Sequence, residues 1–325
     1  MVRVIETGLE TSIQDWPGRV GFYNKGFPPS GPLDSWSFRL ANILVGNEEG
    51  VAAIECQFIG PTLKFDRDIV VAITGADMQA KINGQLCPIW ESFTVFAGQS
   101  IEMSYAISGA RGYIAFGGGI ASEPTLGSRS TFAAAGVGGL SGHSLKAGDI
   151  LPVGPEHGEA GRRIPLAARP LIEQKLIWEV EAVPGPNDDW IDQVGHERFL
   201  SSEWRVSAKS NRMGMRLEGP DWTFTSKAYD KLPENGSEPA NIIDQGYPIG
   251  AINLAGQTPI ILLNDGPSMG GFINPYTVPQ CALWKLGQAR PGETFRFQSI
   301  SVEEAQLRAR RINTICKECS LNSSE

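Results

Sequence analysis

Short apolar runs, broken every few residues by glycine- or proline-containing turns, recur from one end of the chain to the other. The runs at 2–5, 69–74, 79–82, 101–105, 113–116, 176–183, 204–208 and 260–263 are rich in β-branched and aromatic residues, and each predicts a strand. Asn83-Gly84, set between two such runs, predicts a tight hairpin. Helical periodicity is confined to 34–45, 188–200 and a charged tail at 302–315. In the first of these, Asp34 stands at the N-cap position and Trp36, Phe38, Leu40, Ile43 and Leu44 form the apolar side. Gly46 marks the end. The pattern is mainly β with a few helices, and closed barrels are the expected way to remove exposed strand edges.

A repeat adds to this reading. IECQFIGPTLKF at 54–65 and GMRLEGPDWTFT at 214–225 share a β run, Gly-Pro, and a following Thr with apolar neighbours. The echo predicts two similar barrels, joined through the polar, proline-punctuated stretch 154–170. The expected domains are 1–165, 166–300 and a helical tail at 301–325.

Composition narrows the function. Gly 38 and Pro 22, spread over the 325 residues, fit many tight turns. The net charge is −8 and no basic run exceeds 308–311, which argues against nucleic acid as a partner. No segment has the length of a membrane span and no apolar leader opens the chain, so no membrane is expected. Five scattered cysteines predict free thiols in a reducing cytoplasm. Cys316 and Cys319 have redox or metal spacing, but with no second pair and no nearby histidine a structural or incidental role is the expectation. No metal site is expected elsewhere.

Four segments carry candidate chemistry. In PPSGPLDSWSFRLAN at 28–42, three prolines stiffen a loop that feeds a helix, and Ser35, Arg39 and Asn42 share one helical face. Ser30, Asp34, Arg39 and Asn42 are candidate substrate ligands here; a capped, solvated helix start is the plain alternative. PIILLNDGPSMGGF at 259–272 ends an apolar run in Asp265 and a glycine loop. Asp265 is a candidate proton acceptor, with the backbone around Ser268 and Gly270 as an anion cradle, against an ordinary Asp-Gly turn. Arg212, Arg216, Asn241, Asp244 and Tyr247, in SNRMGMR and NIIDQGY, are polar among apolar neighbours and suit a carboxylate or urea-like ligand, or an Arg–Asp staple. Lys285 in LWKLGQ is a further candidate catalytic group, unless it merely snorkels. The glycine-rich stretches at 117 and 136 lack a phosphate-loop or dinucleotide pattern, and no nucleophile elbow is present.

Taken in order, PPSGPLDSWSFRLANILVGN, IECQFIGPTLKF, ITGAD, LGSRST, SNRMGMRLEGP, DGPSMGGF and LWKLGQARPGETFRF resemble the biotin-dependent carboxyltransferase family. That family includes the C subunit of 5-oxoprolinase, the so-called allophanate hydrolase subunit 2, and the carboxyltransferase region of urea carboxylase. The resemblance runs from about residue 6 to 301, and the arginine segment is closer to the urea carboxylase branch. It implies two cyclophilin-like β-barrels and transfer of a carboxyl group from N-carboxybiotin to an amide nitrogen. Asp265, Asp244 and Lys285 would be catalytic. No methionine adjoins a lysine, so a biotinyl-lysine motif is missing, and no ATP-binding carboxylase segment is recognisable. Biotin is therefore expected on a partner: a biotin carboxylase or biotin carrier protein, alongside a companion half-carboxyltransferase subunit and a small amide substrate. The alternatives are the C subunit of an ATP-dependent 5-oxoprolinase and a non-enzymatic regulatory binding subunit.

Overall fold

Strand Ile69–Asp77 is buried along nearly its whole length, and the two-residue period of a strand explains how. Ile69, Val71 and Ile73 enter one apolar cluster, while Val70 and Ala72 enter another on the opposite face. The first cluster is shared with Val2, Val4, Leu63, Phe65 and Ile101 of a second sheet; the other is shared with Phe38, Leu40 and Leu44 of a helix. The strand is thus the middle layer of a sheet–sheet–helix stack.

These features come from a computed structural model that describes residues 1–173, 176–318 and 322–323. The chain divides into two units: Met1–Gly21 with Pro29–Gln174 and Arg311–Glu325, and Phe22–Pro28 with Lys175–Arg310. Their composition is mainly β with few helices, as the periodicity implies.

In the first unit, a five-stranded sheet runs Ser12–Gln14, Ala53–Gln57, Ser108–Phe116, Ile69–Asp77, Ser92–Val95. A six-stranded sheet runs Ile150–Leu151, Val2–Glu6, Thr62–Phe65, Ser100–Glu102, Lys81–Ile82, Gln85–Leu86. Asn83 and Gly84 both take positive φ (52° and 79°) in the hairpin between the last two strands, the conformation that such a two-residue turn demands. Neither sheet closes on itself. The outermost strands of the six-stranded sheet are two residues long, so they leave little edge to protect, and helix Ser35–Leu44 covers the outer face of the five-stranded one.

The second unit does contain a closed barrel, in the order Ile177–Pro184, Tyr276–Thr277, Ala251–Ala255, Thr258–Leu262, Gly214–Glu218, Trp204–Val206, Thr294–Ser299. A parallel pairing of Ile177–Pro184 with Thr294–Ser299 completes the ring. Phe199, fully buried, stacks on Tyr276 and Phe297 with ring centroids 4.3 and 4.5 Å apart. It stands on helix Gln193–Ser201, which starts later than the periodicity at 188–200 implies. Asp188–Trp190 is instead a short 3-10 turn, and Asp192 is the cap that accepts from the Gly195 amide. Leu283–Gln288 is an additional short helix. A separate antiparallel ribbon, Asn241–Gly246 with Met269–Phe272, stands off the barrel.

Candidate active site

The pairing register of the barrel decides which side chains meet outside it. Gly214 pairs with Leu262, Arg216 with Ile260, and Ile260 with Asn253. Directly paired residues point to the same side of a sheet, so these five share the outer face while Met215, Ile252 and Ile261 point into the barrel. The ribbon lies over this face and encloses a cavity of about 400 Å³. Its base is Gly214, Asn253, Ile260 and Leu262, and its roof is Tyr247 with Met269, Gly270, Gly271 and Phe272. The volume suits a small organic ligand.

Glycine makes the roof thin. A Cβ at Gly270 would lie 2.9 Å from the Tyr247 ring, and one at Gly271 would lie 3.0 Å from the Ile242 carbonyl. Tyr247 locks the ribbon onto itself: its hydroxyl accepts from the Phe272 amide at 2.6 Å and donates to the Phe272 carbonyl at 2.8 Å. Burial pushes the Tyr247 phenol above its ordinary pKa, with the Phe272 bond opposing and Asp244 adding to the rise. It stays a neutral hydrogen-bonding group near pH 7.

Among the described lining residues the only charges are Lys209 and Arg216, both exposed cations. Asn253 is 3% exposed, and its side-chain oxygen has no hydrogen-bond partner. Leaving a buried amide oxygen unmatched costs roughly 1–3 kcal/mol, so the sequence tolerates a penalty here.

Beside the cavity, Arg212 grips Asp265 through two bonds, Nε to Oδ2 at 2.9 Å and Nη2 to Oδ1 at 3.4 Å. Backbone bonds from Asp265 N to Arg212 O and from Leu263 N to Met213 O tie the same two segments together. Neighbours of this pair, Asn211, Met213 and Pro267, line the cavity. Asn211 shapes its turn by accepting from the Met213 and Gly214 amides.

The candidate residues of the second unit therefore separate. Tyr247 and Gly270 line the cavity, and Arg212 and Asp265 adjoin it. Ser268 receives the Tyr247 amide on its carbonyl at the base of the ribbon. Asn241 and Asp244 lie along the ribbon, with Asp244 exposed and its carboxylate 3.7 Å from where a Gly271 Cβ would stand. Lys285 is elsewhere, bonded at 2.7 Å to both the Glu181 carboxylate and the Glu179 carbonyl; Glu181 also accepts from Arg308. Lys209 and Asn253 were not singled out from the sequence. The signal for Asn253 is a polar residue in the middle of the apolar strand Ala251–Ala255.

In the first unit, Asp34 caps the helix by accepting from the Ser37 amide and hydroxyl, and its own amide donates to Tyr113, which in turn donates to Glu55. Arg39, 2% exposed, is bonded to Glu49 and Asn313 and lies 4.3 Å over the Trp16 ring. Asn42 donates to Val51 O and accepts from Asn47. Ser30 is buried with positive φ (57°) and an unpartnered hydroxyl. Asp34, Arg39 and Asn42 are thus committed to holding the loop and helix in place.

Cys56, Cys87 and Cys281 carry free thiols, while Cys319 lies outside the described residues. Among the described residues there is no group of three or more His, Cys, Asp or Glu placed to hold a metal ion, and no helix is long and apolar enough to cross a membrane.

Residues 25–299 match the family described as carboxyltransferase domain, subdomain A and B. Urea amidolyase of Saccharomyces cerevisiae is 38% identical over 314 residues, covering 94% of this chain and 17% of that protein. The C subunit of 5-oxoprolinase from Escherichia coli is 32% identical over 317 residues, covering 96% of this chain and 94% of the relative. The crystal structure of the K. lactis urea amidolyase superposes with a TM-score of 0.94 at 34% identity, over all of this chain and 20% of that one. The chain thus spans 17–25% of the length of its urea amidolyase and urea carboxylase relatives.

Proposed function

The chain belongs to the carboxyltransferase domain family, subdomains A and B, and from that premise we propose that it moves a carboxyl group from N-carboxybiotin to a urea-like amide nitrogen. The cavity against the barrel is the proposed acceptor site. The observation that supports this most directly is its lining: two cations at exposed positions, a buried carboxamide at the base, and no carboxylate among the described lining residues. Lys209 and Arg216 would attract and steady a carboxylate, while Asn253 and the glycine strand would receive a flat, polar amide.

Biotin, carried on a separate protein, would supply the carboxyl group in activated form. The acceptor nitrogen gives up its proton as the N–C bond forms, and that proton passes to the ureido nitrogen from which the carboxyl group departs. Atoms and charge balance without an outside base. We accordingly give Asp265 a positioning role. Its carboxylate is bound by the Arg212 guanidinium, and the pair fixes the loops carrying Asn211, Met213 and Pro267. Asp244, exposed on the ribbon, remains the freer carboxylate. Asp34, Arg39 and Asn42 hold the first unit's helix in register. The cyclophilin-like architecture, the cytoplasmic location and the companion half-transferase belong to the same proposal.

The test is reconstitution of the chain with its companion half-transferase, a biotin carboxylase and a biotin carrier. Urea-dependent carboxylation that avidin abolishes is the expected result; turnover indifferent to avidin would overturn the reading. One observation favours a second reading. The chain covers almost the full length of a relative named as the C subunit of 5-oxoprolinase, and that function predicts 5-oxoproline cleavage with ATP and no biotin protein.

A further inference from the structure

Lys209, Asn211, Gly214 and Arg216, which all line the cavity, belong to one tight hairpin. Ser207 N donates to Arg216 O at 2.9 Å, Arg216 N to the Ser210 hydroxyl at 3.1 Å, and Asn211 N to Gly214 O at 3.1 Å. At its tip the Asn211 side-chain oxygen accepts from the Met213 amide at 2.8 Å and the Gly214 amide at 3.3 Å. Backbone N–H groups only donate, so the oxygen must face them and the side-chain NH2 group points away. That group bonds to nothing among the described residues, and Asn211 is exposed, so a ligand can reach it. The turn itself asks only for an acceptor. Aspartate would supply one equally well, at the cost of a negative charge on the hairpin that carries Lys209 and Arg216. Asparagine keeps the turn and leaves N–H donors over, at a cavity with no carboxylate among its described lining residues.

We propose that the Asn211 side-chain nitrogen is the fixed donor of an anion seat in this cavity: it holds one oxygen of the carboxylate that Lys209 and Arg216 attract. The inference rests on the cavity being the site proposed above, and it adds the group that sets how the carboxyl group lies. The two cations are exposed on long side chains, which draw an anion in but hold it loosely. Asn211 is short and pinned by two bonds, so its donor is in place before the anion arrives. A fixed donor beside mobile cations gives the carboxylate an orientation as well as an attraction. The ligand class is a small carboxylate whose apolar part lies against Ile260, Leu262 and the Tyr247 ring.

The test uses the full chain, labelled with 15N, and two probes of nearly equal shape: isobutyrate and its neutral amide, isobutyramide. The Asn211 side-chain NH2 signals are assigned by their loss in Asn211→Asp, which keeps an acceptor for the turn and should melt close to the wild type. Isobutyrate should shift those signals saturably, and the wild type should bind it about fivefold or more tightly than isobutyramide. Asn211→Asp should lose that preference. Asn211→Ser keeps a shorter acceptor and adds no charge, so it separates the missing donor from an added repulsion; it should weaken isobutyrate several-fold. The inference is overturned if the Asn211 signals stay still while isobutyrate saturates the chain, since a residue that merely shapes the turn would behave so. It is equally overturned if Asn211→Ser binds isobutyrate as the wild type does, or if the wild type does not bind it at all. Neither a carboxyl donor nor a partner enters these measurements. A chain that seats isobutyrate on Asn211 yet transfers no carboxyl group would sink the carboxyltransferase reading alone.

Discussion

At the scale of single residues, the second unit keeps one buried ion pair beside its cavity and one unmatched amide within it. The pair has a clear energetic signature. Asp265→Ala removes a carboxylate partner from the largely buried Arg212 guanidinium and should cost about 3–5 kcal/mol in denaturant melts. Replacing both partners, Arg212→Met with Asp265→Leu, should recover most of that loss, because two charges are then no longer desolvated. If the double variant is no more stable than Asp265→Ala, the pair is more than an electrostatic staple. Gly270→Ala is the complementary probe of space. Its new Cβ would press on the Tyr247 ring at 2.9 Å, so ligand affinity should fall several-fold, with a change in melting temperature much smaller than that of Asp265→Ala.

Among elements, the ribbon that roofs the cavity is only partly buried. Its strands are exposed or half-buried, one contains Gly270-Gly271, and the pairing has a register shift between Asn241 and Gln245. Two hydrogen bonds between the Tyr247 hydroxyl and Phe272 tie its strands together, and Gln245 donates to Asn187. Tyr247→Phe should therefore speed hydrogen exchange at the Phe272 amide by about tenfold while strand Ala251–Ala255 stays protected. Equal exchange in the two proteins would place the fastening elsewhere. Helix Gln193–Ser201, which carries Phe199 into the barrel, depends on its cap in a pH-sensitive way. The Thr223 hydroxyl and then the Gly195 amide hold the Asp192 carboxyl below its ordinary pKa. The cap's contribution is thus present above the unfolded-state carboxylate pKa near 3.9 and is lost as pH falls through the lower folded value. Asp192→Ala should cost about 1 kcal/mol at pH 7 and progressively less in acid. A cost that does not diminish in acid would assign the loss to packing.

Across the whole molecule, a net charge of −8 contrasts with a cavity mouth carrying Lys209 and Arg216. An acidic protein disfavours anions in general, so a local cationic mouth directs a carboxylated donor to one place. Reversing both charges, Lys209→Glu with Arg216→Glu, should raise KM for the carboxyl donor at low ionic strength. The difference from wild type should narrow as salt rises, since exposed charges are screened over about 10 Å at 0.1 M. A salt-independent difference would mean direct contact rather than attraction at a distance.

Periodicity and turn chemistry are local properties, and they determined a good deal by themselves. The mainly β content, the Asn83-Gly84 hairpin, the helix capped by Asp34 and the family resemblance were all legible in the chain. The place of Arg212 and Asp265 beside one another was not, nor was the commitment of Arg39 to Glu49 and Asn313, or of Lys285 to Glu181. A polar residue in an apolar run looks the same whether its partner is a substrate or another side chain, and only the fold supplies the partner. Closure was also undecided locally: the second unit completes its ring through a parallel pairing of strands more than a hundred residues apart, while the first rests its sheet under a helix. Asn253 shows the division most sharply. Its type and strand are written in the sequence, but strand register alone turned it towards the cavity, and only three-dimensional packing left its oxygen without a donor.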